Sequence, residues 1–237
     1  VWNPVRVLPL GPDRGGVIAE ARRLALGLRN RVWIDPILRG AYPSDVMADL
    51  EAYGGLPVEP GDLEIISQPL DWVGINYYSD TYYRLSPGSR ASNTPGLTDV
   101  VSPEPGPDAT DMGWPITPDG LRALLVELRH EYPNLPPLYI TENGAAYDDP
   151  VVDGAVHDVR RIAYLDAHLR ALRAAIDEGV DVRGYYQWSL MDNFEWAHGY
   201  EKRFGIVHID YDTLVRTPKD SAYWYRDVIA RNGLEAA

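Results

Sequence analysis

The chain has 237 residues, 45% hydrophobic and 24% charged, which is apolar material enough for one large folded domain and excludes an intrinsically disordered one. A formal charge of −13 argues against nucleic acid or an anionic membrane as a partner and suits a neutral substrate. The absence of cysteine excludes disulfides and thiolate chemistry and fits a reducing cytoplasm, the expected compartment, without excluding secretion.

Val1-Trp2-Asn3-Pro4 has no initiator Met and reads as the end of a strand already under way, as expected of a fragment or a processed product. Val17, Ala21, Leu24 and Leu28 recur at helical spacing and predict a helix over residues 16–30. Residues 71–78 read as a buried strand. Leu121, Leu124, Leu125 and Leu128 predict a helix from Asp119 to Glu131, closed by Pro133, before a strand over residues 137–141. Between these, Ser86 to Pro118 is a Pro-, Gly-, Ser- and Thr-rich stretch too long for an ordinary connection and is expected to form a lid ending in Trp114.

The longest expected helix runs from His157 to Glu178, with Val159, Ile162, Ala163, Leu169, Leu172 and Ile176 as its apolar stripe and Gly179 as its stop. Val182 to Leu190 then reads as an inner strand, His208 to Val215 as a hairpin, and Ser221 to Asn232 as a final helix. Strands alternating with helices predict βα units around a parallel sheet. No apolar stretch approaches the roughly 18 residues needed to cross a bilayer.

The most informative run is Leu138-Tyr139-Ile140-Thr141-Glu142-Asn143-Gly144, an apolar strand that ends on a carboxylate and meets Asn-Gly, which is expected to force a turn. At the C-terminal end of a parallel barrel strand, a carboxylate reads as catalytic. On composition alone a solvated Glu opening a loop fits better.

This heptad resembles a motif of glycoside hydrolase family 1, the retaining β-glucosidases. So do Trp72-Val73-Gly74-Ile75-Asn76-Tyr77-Tyr78 and Trp188 through Trp196 to Arg203-Phe204-Gly205, together with Trp33 to Gly40, Thr110 to Trp114 and Arg216 to Tyr225. The resemblance covers nearly the whole chain and implies an α/β fold, the C-terminal half of a (β/α)8 barrel. Residues 1–237 would run from the end of strand five through strand eight and the final helix, with the first half missing. Three inner strands and a stub do not make the eight that such a barrel needs.

The resemblance also implies roles. Retaining glycosidases set two carboxyl groups about 5 to 5.5 Å apart, one attacking the anomeric carbon while the other protonates the leaving oxygen. Glu142 matches the nucleophile. Tyr78 matches the tyrosine that donates to it, one of Tyr77 and Tyr78 being core because strand neighbours face opposite ways. Asn76 would sit near the general acid. The family's Asn-Glu-Pro acid motif does not occur in this chain, and Glu104, in Ser102-Pro103-Glu104-Pro105, lacks the preceding strand that would hold it rigid. Trp188 resembles the platform beneath the sugar; Glu195 would take the 4- and 6-hydroxyls, Trp196 the 3-hydroxyl, Phe204 the C6 side and Trp114 the aglycone wall.

The resulting expectation is a β-glucosidase acting on β-glucosides or oligosaccharides through a covalent intermediate, with no cofactor and no metal. The isolated chain is expected to be inactive and to need the first half of the barrel as its partner. A non-catalytic carbohydrate-binding or assembly half is the alternative, with thioglucosidase, β-galactosidase or β-fucosidase activity as variants within the family. No zinc-binding histidine pattern occurs, and Asp210-Tyr211-Asp212 reads as a hairpin turn ahead of a calcium site.

Overall fold

The computed structural model describes residues 1–89, 97–104, 106 and 108–235. After β1 (Val7–Pro9), α1 (Val17–Leu26) continues through a π-helical turn (Gly27–Arg31) into α2 (Val32–Arg39). The helix expected over residues 16–30 therefore runs nine residues further, because buried Val32 and Ile34 carry its apolar face onward. Two short helices that the periodicity does not reveal follow, α3 (Ser44–Glu51) and α4 (Asp62–Ile66). Then come β2 (Val73–Asn76), β3 (Thr81–Leu85), β4 (Val100–Val101), α5 (Pro118–Glu131) and β5 (Leu138–Asn143). The chain ends with α6 (Val159–Asp177), β6 (Val182–Gln187), the hairpin of β7 (Val207–Ile209) and β8 (Arg216–Pro218), and α7 (Asp220–Arg231).

The contacts divide the chain into two units. The first comprises Val1–Val73, Asp80–Glu104 and Leu128–Pro137, and the second Gly74–Ser79, Pro105–Glu127 and Leu138–Ala237. In the first, β3 pairs in parallel with β1 and antiparallel with β4, a sheet that the sequence reading did not anticipate. Ile18, Ala21 and Ala25 of α1 lie on one helical face and pack with Val7, Tyr83 and Val100 of this sheet. Residues 1–3, expected to end an inner strand, contribute a single bridge residue, Trp2. Of the expected lid, residues 90–96, 105 and 107 lie outside the described residues. Part of the rest is tied down, with the Asp99 carbonyl accepting from Ser86 N at 2.7 Å and its carboxylate from Gly88 N at 2.6 Å.

The second unit carries the inner sheet, in the order β2-β5-β6. Ile75, Leu138 and Ile140 are fully buried, while Tyr139 and Thr141 on the opposite face of β5 are half-buried. β5 and β6 run parallel, with Leu138 opposite Val182 and Asn143 opposite Gln187. Gly184 leaves room for Tyr139, whose ring lies 2.4 Å from where a Cβ would stand. Each of β2, β5 and β6 precedes a long helix in sequence, α5, α6 and α7 respectively, so the βα alternation is observed. No helix among the described residues is long and apolar enough to cross a membrane.

The buried stripe of α6 differs from the expected one. Val159 is 67% exposed, while the inward residues are Arg161, Tyr164, Leu165, His168, Leu172 and Ala175. Their spacing is equally helical, but it includes an arginine and a histidine that hydropathy places outside. His168 is buried, stacked on Tyr164 at 3.9 Å, and its Nδ1 donates to the Tyr164 carbonyl at 2.8 Å. Its Nε2 finds no partner among the described residues.

Burial lowers the His168 pKa from 6.5 to about 4, more than the carbonyl contact raises it. The folded protein thus binds this proton less readily than the unfolded chain. The resulting stabilisation is complete above pH 6.5 and is lost as pH falls through about 4. The gap is worth roughly 3 kcal/mol at about 1.4 kcal/mol per pH unit. Replacing His168 with Phe should shrink the stability difference between pH 7 and pH 4 by most of that amount in urea unfolding. An unchanged difference would mean that His168 titrates normally.

Candidate active site

β5 delivers Glu142 at its C-terminal end, and β2 delivers the residues that meet it. The Tyr78 hydroxyl donates to Glu142 Oε2 at 2.6 Å, and Tyr77 N donates to the Glu142 carbonyl at 2.9 Å. Tyr77 is the core member of the pair, buried with its hydroxyl on Thr117. Thr141 Oγ1 donates to Asn76 Oδ1 at 2.6 Å, which places Asn76 beside the same strand tip. The register with β6 slips between Ile140 and Asn143. Such irregularities break the two-residue alternation and re-aim side chains.

Burial raises the Tyr78 pKa most, and the hydrogen bond to Glu142 and the charges of Glu142 and Glu195 push it further up. Tyr78 therefore remains a protonated donor, and Glu195 acts on the same site. Trp114 packs on Tyr78 with ring centres 5.1 Å apart, and Phe204 lies 6.0 Å from Trp114 and 6.1 Å from Tyr78. Phe204 is only 1% exposed and backs the Tyr78 and Trp114 rings.

The expected turn at Asn143-Gly144 takes another form. Gly144 does not adopt a left-handed backbone, and the strand runs through Asn143. What glycine supplies is clearance, since a Cβ there would stand 1.8 Å from the Trp188 carbonyl oxygen. Trp188 N donates to the Asn143 carbonyl at 2.9 Å, which joins the two strand ends. The Trp188–Ser189 peptide is cis.

Beyond Trp188 the loop carries Glu195 and Trp196. Asn193 donates to Glu195 Oε2 at 3.0 Å. Trp196 is 84% exposed with φ +44, on the same loop as Glu195. Glu104 is exposed in the other unit. Asp210 caps its own turn, accepting from Asp212 N and Thr213 N at 3.0 Å each. Among the described residues no cluster of three or more His, Asp or Glu is placed to hold a metal ion.

Sequence reasoning missed the buried charges that hold this loop. Arg161 binds Asp149 and Asp158 and also donates to the carbonyls of Ala145, Phe204 and Arg203. Lys219 Nζ reaches Asp149 at 2.8 Å and Asp192 at 3.3 Å, and Arg203 donates to Asp192 at 2.6 Å. Burial pushes Lys219 down and Asp158 up, so desolvation outweighs pairing at both. It also missed Asn143, Tyr164 and Tyr185, whose polar atoms meet behind Glu142. A signal was present, because Arg161, Tyr164 and His168 recur at helical spacing.

The family model described as glycosyl hydrolase family 1 matches residues 3–234. A thermostable β-glucosidase B of Thermobispora bispora is 47% identical over 228 residues, covering 95% of this chain and 46% of the relative. A bifunctional β-D-glucosidase/β-D-fucosidase of Bifidobacterium breve is 48% identical over 214 residues, 85% of this chain and 46% of that protein. Among solved structures, a psychrophilic β-glucosidase from Micrococcus antarcticus superposes with a TM-score of 0.90 at 46% identity, over 98% of this chain and 52% of that one. The chain therefore spans about half the length of the relatives it matches. Those structures are (β/α)8 barrels, and this chain has the fold of about half of one.

The Gly144 clearance is testable. Gly144→Ala sets a methyl group against the Trp188 backbone, and should cost at least about 2 kcal/mol as overpacking that side-chain motion cannot relieve. Thermal unfolding measures it. A loss below about 0.5 kcal/mol would show that the strand ends separate freely.

Proposed function

The chain belongs to glycosyl hydrolase family 1, and on that premise we propose that it supplies the nucleophile and much of the sugar subsite of a retaining β-glucosidase. In this reading Glu142 attacks the anomeric carbon of a terminal β-linked glucose and forms a covalent glycosyl-enzyme that water then hydrolyses. The observation that carries it is the Tyr78 hydroxyl on Glu142 Oε2 at 2.6 Å, a half-buried donor aimed at a carboxylate on the C-terminal end of an inner strand.

Tyr78 orients Glu142 and spreads its charge. Trp188 and Trp114 offer apolar faces for a pyranose and its aglycone, and Glu195 accepts from the sugar's hydroxyls. Phe204 stiffens the aromatic group from behind, and Asn76 stands towards the acid. The general acid comes from the other half of the barrel, upstream in the same polypeptide or on a second one. Without it, leaving-group departure loses help worth about 10² to 10⁴ in rate. The chain alone is accordingly proposed to be inactive on unactivated disaccharides.

A 2-deoxy-2-fluoroglucoside with an activated leaving group should label Glu142 in the completed enzyme, as read by peptide mass spectrometry. Labelling of Glu195 or Glu104 with Glu142 untouched would sink the assignment.

Glu195 also sets an expectation for the substrate's sixth carbon. A carboxylate about 4 Å from a 6-phosphate costs roughly 1 to 4 kcal/mol between water-like and protein-surface screening. Plain glucosides should therefore be hydrolysed roughly 5- to 1000-fold better than their 6-phosphates in kcat/KM. Preference for the phosphorylated sugar would overturn this role for Glu195.

A further inference from the structure

Asn143 is wholly buried directly after Glu142, and its side-chain amide is saturated by three elements. Its Nδ2 donates to the Tyr77 carbonyl at 2.8 Å and to the Tyr164 hydroxyl of α6 at 3.1 Å, while Oδ1 accepts from the Tyr185 hydroxyl of β6 at 2.7 Å. The Tyr77 carbonyl can only accept, so it fixes which end of the amide faces β2. Burial pushes the Tyr164 hydroxyl far above its usual range, so it keeps its proton and donates it to the Tyr78 carbonyl at 3.2 Å.

The amide therefore grips two consecutive backbone carbonyls, Tyr77 directly and Tyr78 through Tyr164. Those carbonyls belong to the residues whose placement decides where the Tyr78 hydroxyl lies. That hydroxyl meets Glu142, the neighbour of Asn143 on β5. The loop closes on itself: Glu142, Asn143, Tyr164, Tyr78 and back to Glu142.

We propose that Asn143 is a positioning residue that sets the Tyr78–Glu142 hydrogen bond by clamping the Tyr77 and Tyr78 backbone to the tip of β5. The inference rests on the reading of Glu142 as nucleophile and adds to it a device that touches no substrate. An apolar residue at 143 would pack in the same space, but it would take a hydrogen-bond partner from the Tyr77 carbonyl and from the Tyr185 hydroxyl and leave the carboxylate's donor free to drift. An aspartate would set an acceptor against the Tyr77 carbonyl oxygen.

The test uses the enzyme completed with a first-half polypeptide, with concentrations normalised by fluoroglucoside active-site titration. Asn143→Ala should lower kcat by about 10- to 100-fold, the cost of a small misplacement of reacting groups, with KM changed less than about threefold. The same substitution in a Tyr78→Phe background should cost no more than about threefold, because the bond it positions is already gone. Tyr164→Phe, which keeps the ring and removes only the bridging hydroxyl, should show the same dependence on Tyr78 if Asn143→Ala does not fold. Equal losses with and without the Tyr78 hydroxyl, for whichever variant folds, would reduce Asn143 to an ordinary core amide. Peptide mapping separates the two levels. A label on Glu142 with additive losses overturns this inference alone, whereas a label on another carboxylate overturns the site and this inference with it.

Discussion

The second unit depends on one buried guanidinium. Arg161 lies on α6 with no exposure, and its donors reach two aspartates and three backbone carbonyls. Ala145 lies just past the end of β5, Arg203 and Phe204 close the loop that began at Trp188, and Asp158 accepts from Ser221 N and Oγ at the start of α7. One side chain thus fixes the exit of β5, the return of the long loop and the entry to α7. Lysine could not replace it, since the fork of five donors in a plane allows several carbonyls and carboxylates to be reached at once. The cost of burying it is offset by balance, with Arg161, Lys219 and Arg203 set against Asp149, Asp158 and Asp192. Such a cluster adds little net stability compared with an apolar core, but it tolerates few alternative arrangements.

That specificity bears on the loop from Trp188 to Phe204, which has several exposed apolar residues. Leu190, Phe194, Trp196 and Tyr200 are all exposed, and Trp196 adopts a backbone conformation that non-glycine residues rarely take. Its ordering comes from below, through Asp192, which accepts from Gly205 N, Ile209 N, Arg203 and Lys219. Glu195 is three residues further on. The ion cluster and Glu195, the residue proposed to accept from the sugar's hydroxyls, are therefore neighbouring parts of one loop.

Much of this was legible in the residues. Apolar runs ending in turn signals marked β2, β5 and β6, and Leu121, Leu124, Leu125 and Leu128 marked α5. The pairing of Tyr77 and Tyr78 as one core and one polar tyrosine follows from strand alternation alone. The errors share one cause. Hydropathy assigns Val159 and Ile176 to the inside of α6 and Arg161 and His168 to the outside, yet the helix turns the other way because Asp149 and Asp158 await the arginine. Likewise Gly144 was read as a turn-former, although the Trp188 backbone that demands its small size lies 44 residues away in sequence. Partners distant along the chain are invisible to local pattern. The sheet of β1, β3 and β4 was missed for a related reason, since strands of three, five and two residues are too short to show a period.

The nature of the donor at Glu142 bears on the proposed chemistry. Among the described residues, its side-chain hydrogen-bond partner is a neutral hydroxyl, not a lysine or arginine. A fixed cation would stabilise the free carboxylate most strongly in the resting state, just where stabilisation slows attack. In the proposed reaction Glu142 surrenders charge as the bond to the anomeric carbon forms, and a partner that relied on that charge would lose most of its interaction in the transition state. A hydroxyl loses less. It restrains the carboxylate's rotation and can follow the developing ester of the proposed reaction with a weaker bond. The requirement then passes from strength to geometry, since a neutral donor is useful only if it is correctly placed. Around the strand tip, Asn143, Tyr164, Tyr185 and Thr141 with Asn76 supply the hydrogen bonds that can fix such a geometry.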